Sequence, residues 1–92
     1  MLRFEIAFGK AYGALAVGVD SREVARMAAE RPHLALGLSG VSNGRIVLLP
    51  GGVLIRSHGE IVGAVGVTGD TSDNDESCAA AGVEISGFNT DC

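Results

Sequence analysis

Ninety-two residues and 9.3 kDa leave room for one domain, and an apolar share of 47% against 20% charged residues is enough to build its core. Aromatic residues make up only 4%, Trp is missing and Gly numbers 14, so that core is aliphatic and closely approached by backbone. All seven bases lie in residues 1–56 beside four acids, while the remainder holds seven acids and no base; with a pI near 4.9 and no Lys/Arg cluster this excludes a nucleic-acid-binding surface and reads as a basic helical layer meeting an acidic one.

Residues 2 to about 17 predict a helix with two apolar stripes, Leu2, Ile6, Gly13 and Val17 on one and Phe4, Phe8, Ala11 and Leu15 on the other, and so a helix buried on two sides. Gly9 and Gly13 share a face and lower helix propensity by about 1 kcal/mol each, which implies close approach by a neighbour. Asp20 followed by Glu23 resembles a capping box, opening a short helix that must stop before Pro32. Residues 33–43 read as a weakly helical or irregular connection closing at Ser42, Asn43 and Gly44.

From Arg45 the period changes. Ile46–Leu49, Val53–Ile55 and Ile61–Val67 are β-rich runs separated by Pro50-Gly51-Gly52 and Ser57-His58-Gly59, which predicts two hairpins in a meander. Neither face of the third run is polar, so it is expected to be an interior strand covered on both sides. Thr71–Asp75 then cap a last helix reaching about Gly87, with Asp73, Asp75 and Glu76 near its positive end.

Little in this sequence spells chemistry. His33 and His58 are the conventional nitrogen ligands for a metal or haem, and no metal-binding spacing relates them. His58 belongs to a hairpin tip, whereas His33 is either a surface residue or a haem ligand. The run Asp70, Asp73, Asp75, Glu76 misses the spacing of a calcium loop and reads as helix capping; Gly51-Gly52 lacks the Lys-Ser/Thr of a phosphate loop. No Ser or Cys stands in a nucleophile constellation, so a non-enzymatic role is expected ahead of an enzyme. Cys78 and Cys92 supply no disulfide framework, and charges interrupt every apolar run short of the roughly 18 residues that a membrane helix needs. A cytoplasmic setting without a membrane partner is therefore expected.

The segment LPGGVLIRSHGEIVGAVGVTGDTSDNDE, Leu49 to Glu76, resembles the signature of the GlcG/HbpS-like haem-binding family, which includes the PduO C-terminal domain. The matching features are the paired Gly51 and Gly52, the strand Ile61–Gly69 and the acidic helix start at Asp75 and Glu76. IAFGKAYGAL, Ile6 to Leu15, is similar to the family's preceding helix, with Lys10 at its lysine. The resemblance implies a profilin-like three-layer α/β/α fold of the α+β kind, with an antiparallel sheet and assembly into homo-oligomers. It also implies a small-molecule ligand, haem, with Gly9, Lys10, Gly13, His33, Gly51 and Gly52 as the candidate cofactor-binding residues. The competing expectation is an oligomeric accessory protein of glycolate- or diol-type catabolism without haem. Family domains begin with a further helix and β-hairpin, and the first helix here follows Met1 directly with no capping residue, so an N-terminally truncated domain is expected.

Overall fold

A computed structural model describes residues 3–91. In chain order these form α1 (Arg3–Val17), α2 (Ser21–Glu30), α3 (Pro32–Val41), β1 (Gly52–Ser57), β2 (Glu60–Gly66) and α4 (Ser72–Ile85). Gly18, at φ 88°, ends α1 by donating its N–H to the Ala14 carbonyl at 2.8 Å. Arg31 is extended before Pro32, which opens α3 where its missing N–H is not needed. Thr71 caps α4, its hydroxyl accepting from the Asn74 N–H at 3.2 Å.

β1 and β2 make an antiparallel hairpin closed by His58 and Gly59, both at positive φ (53° and 82°), the geometry that matches strand twist. Gly52 faces Gly66, Val53 faces Val65 and Leu54 faces Ala64, with a bulge after Ile55 that leaves Val62 as the extra residue. Alternation then sorts the side chains. Gly52, Leu54, Ala64 and Gly66 turn toward α1, while Val53, Ile55, Val65 and Val67 turn toward Ala79 and Val83 of α4. Helices on both faces of an antiparallel sheet are the expected three layers, and the core lies at Ala14, Val24, Val53, Leu54, Ala79 and Val83.

Several local expectations need correction. Ile46–Leu49 is not a strand; its backbone is laid across α1, where the Val47 N–H donates to the Gly9 carbonyl at 3.2 Å. For residues 33–43, read as weakly helical or irregular, the irregular alternative falls: α3 runs over Pro32–Val41 and packs on α2 alone among the elements. The side of α1 carrying Phe4, Phe8 and Leu15 is exposed rather than buried, and Ile61 and Val62 at the start of β2 are exposed too. Leu2 and Cys92 lie outside the described residues.

The two edges of the sheet differ. On the outer edge of β1 the Gly52 N–H donates to Ser21 Oγ at 2.8 Å, the Leu54 N–H to Asp20 Oδ1 at 2.8 Å and the Arg56 N–H to the Asn89 carbonyl at 2.9 Å. Asp20, expected to cap α2, makes no side-chain cap there and accepts from the strand instead. On the outer edge of β2 no hydrogen bond to any described residue is made.

Candidate functional site

The seam between α1 and the hairpin is where the family-like residues converge. Lys10, the chain's one lysine, is 1% exposed. Its Nζ donates to the Val67 carbonyl at 3.0 Å and to Asp75 Oδ2 at 3.2 Å, while Asp75 Oδ1 accepts from the Asp70 N–H at 3.0 Å. Each of these charged atoms is thus answered, as burial requires. Ser21 Oγ donates to the Leu49 carbonyl at 2.6 Å and accepts from Gly52, fixing the paired glycines from the α2 side.

Glycine lets helix and strands touch by backbone. A Cβ on Gly52 would fall on the Lys10 carbonyl, and one on Gly66 on the Ala7 carbonyl. The buried seam therefore brings Lys10, Gly51, Gly52 and Asp75 together, with no solvent-facing opening at Lys10. Gly9 and Gly13 lie next to it, covered by the chain at Arg45–Val47 and by Ile46.

That covering chain builds a groove on the outward side of α1. Phe4, Phe8 and Tyr12 form a ladder, with ring centroids 6.3 Å apart for Phe4–Phe8 and 5.7 Å for Phe8–Tyr12. Phe4, Ile6 and Phe8 face Val47 across a groove of about 410 Å³, with Glu5 and Arg45 at its polar rim. Phe4 is 75% exposed and Phe8 47%. Arg45 makes no ion pair among the described residues. A flat apolar surface beside an unengaged guanidinium suits a planar aromatic molecule bearing carboxylates.

His33 is exposed at the start of α3 and does not line this groove; His58 occupies the hairpin turn. A second apolar cleft, about 280 Å³, opens between the sheet and α4, walled by Ile55, Val65, Val83 and Phe88 with Cys78 at its margin. A third recess, about 370 Å³, surrounds Arg22 with Asp20, Glu23, Glu76 and Asp91. There Arg22 bridges α2 to the start of α4 through Asp73 and Glu76, the basic and acidic layers meeting as expected, and hydrogen bonding to Asp73 raises its pKa first of all. The Arg26 hydrogen bond lowers the pKa of Glu23. Among the described residues no three His, Cys, Asp or Glu side chains gather to hold a metal ion, and no helix is long and apolar enough to cross a membrane.

The profile of a family described as haem degrading protein HbpS-like matches residues 1–84. The chain belongs to the HbpS-like family. Its fold is similar to the crystal structure of a PduOC:heme complex, at a TM-score of 0.80 and 26% identity over 95% of this chain. The match covers 62% of that relative, so this HbpS-like chain spans less than two thirds of its length. No curated protein matches the chain.

Sequence reasoning reached Lys10, Gly51 and Gly52 through resemblance but missed the Lys10–Asp75 pair, having assigned Asp75 to helix capping. A single lysine on an apolar helix was the signal, because such a charge must find a partner when the helix is covered. The groove was missed for the opposite reason: Phe4 and Phe8 at helical spacing read as core.

Proposed function

We propose that this chain binds or handles haem, seated in the groove between α1 and the Arg45–Val47 segment. The observation that carries the reading is likeness across 95% of the chain to a PduOC:heme complex. The groove supports it: Phe4, Phe8 and Val47 offer apolar contact to a porphyrin face, and Arg45 offers charge-assisted hydrogen bonds to propionates. Bound haem supplies an iron centre; the roles argued for the protein are seating and shielding it. Gly9 and Gly13 act by letting the covering segment lie close enough to form the groove wall, while Lys10, Gly51 and Gly52 act indirectly by holding α1 on the sheet. His33, exposed at the start of α3, does not line this groove and takes no part in the seat argued for haem.

Haemin titration followed at the Soret band tests this. A shifted, saturable Soret maximum is expected, with affinity falling about ten- to hundredfold in Arg45→Glu. The shift is expected to survive in His33→Ala, and its loss there would move the haem away from this groove; absence of any shift in the parent chain would replace haem binding by the accessory reading. The exposed free thiol of Cys78 supports a reducing, cytoplasmic setting, and the exposed Ile61 and Val62 support a homo-oligomer.

A further inference from the structure

We infer that the groove between α1 and the Arg45–Val47 segment selects among tetrapyrroles by the placement of their carboxylates: Arg45 accepts rings that carry them on one edge, and Glu5 turns away rings that carry them all round. The inference rests on the haem reading above and deepens it by naming the class of porphyrin admitted. Among the described residues two charged side chains line this groove, Glu5 from the first turn of α1 and Arg45 from the segment that crosses it. They are opposite in sign and form no ion pair, either with each other or with any other described residue. Opposite charges that share a groove without meeting are each left to act on what enters it. Their backbones are held together, since the Val47 N–H donates to the Gly9 carbonyl at 3.2 Å and so pins the crossing segment on α1. The walls beside them, Phe4, Ile6, Phe8 and Val47, are apolar.

The periphery of the ring decides how it meets this arrangement. Haem carries two propionates on adjacent pyrroles and only methyl and vinyl groups on the rest of its rim. It can therefore be turned to bring both carboxylates to Arg45 and an apolar rim to the remainder of the groove. A ring with carboxylates on every side has no such orientation: whichever edge meets Arg45, a further carboxylate comes to Glu5 or is set against Phe4, Phe8 or Val47. The first is a contact between like charges, and the second strips a carboxylate of water without giving it a partner. Arg45 acting alone would favour the ring with more carboxylates. Glu5 supplies the repulsive element that reverses this order, which is how a site comes to discriminate rather than merely attract.

The test holds the iron constant and varies the carboxylates. The 92-residue chain is titrated with haemin, with iron coproporphyrin III (four carboxylates) and with iron uroporphyrin III (eight), each followed at its Soret band. Affinity is expected to fall in that order, by at least about tenfold from haemin to the four-carboxylate ring. In Glu5→Gln the preference for haemin over iron coproporphyrin is expected to shrink about tenfold. In Glu5→Lys the order is expected to invert, a gain of binding that a misfolded chain does not produce. Affinity that is level or rises with carboxylate number in the parent chain would overturn the selectivity and keep the haem reading. A preference undiminished in both Glu5 variants would overturn Glu5 as its source, and no Soret change with any of the three rings would overturn the haem reading itself.

Discussion

The two sides of α1 are built from different materials. Toward the sheet and the crossing segment Arg45–Val47 lie Gly9, Lys10, Gly13 and Ala14, all buried, where backbone comes close and a single charged side chain is tied to Asp75 and Val67. Away from it lie Phe4, Phe8 and Leu15, large and exposed. The small and polar residues are inside and the large apolar ones outside, the reverse of an ordinary amphipathic helix. An inverted pattern of this kind separates duties: the inner side holds the fold by close approach and one ion pair, and the outer side is the one proposed for the ligand.

Substitutions on the inner side should therefore cost stability whatever happens to ligand binding. The largest effect is expected from Lys10→Met, which leaves Asp75 buried without its cation and should lower unfolding free energy by about 3–5 kcal/mol in denaturant titration. Asp75→Asn added to that variant should restore part of the loss, because the stranded charge goes. If Lys10→Met were neutral, the seam would not be the structural centre.

Gly66→Ala comes next. Its methyl must displace the Ala7 carbonyl, and a loss of about 1–3 kcal/mol, read from the shift in denaturant midpoint, is expected. Ser21→Ala should cost about 1–3 kcal/mol by orphaning the Gly52 N–H and the Leu49 carbonyl, with faster exchange of the Gly52 amide as its particular signature.

The smallest effect belongs to the solvent-facing charges. The Arg26 hydrogen bond lowers the pKa of Glu23, so any stability it lends is present above the unfolded carboxylate pKa and fades as pH falls through the folded one. Both groups are well exposed, and the acid-unfolding curve of Glu23→Gln should overlie that of the parent chain. A clear displacement would mean that the α2 surface shares in the structural work assigned to the seam.

These two sides were unequally legible in the sequence. The hairpin was readable because His58-Gly59 between β-branched runs has one common solution, and α2 because Asp20 and Pro32 bracket it. Ile46–Leu49 misled because a β-branched run reports a preference for extended backbone, and extended backbone also serves to cross a helix when glycine at positions 9 and 13 makes room. The start of β2 misled because an apolar strand records what will be covered without recording by what. Phe4 and Phe8 misled in the same way, since helical spacing marks an apolar stripe and does not say whether protein or ligand completes it. The Lys10–Asp75 pair joins residues 65 apart in the chain, a distance at which no local pattern operates.

The separation of duties is tested most directly by Phe8→Ser, measured twice on the same sample. Phe8 is on the outer side, so the melting temperature should stay within about 2 °C of the parent, as for a surface substitution outside the packed core, while haemin affinity falls at least about tenfold. A variant that melts far earlier, or one that binds haemin as tightly as the parent, would contradict the assignment of this side of α1 to the ligand.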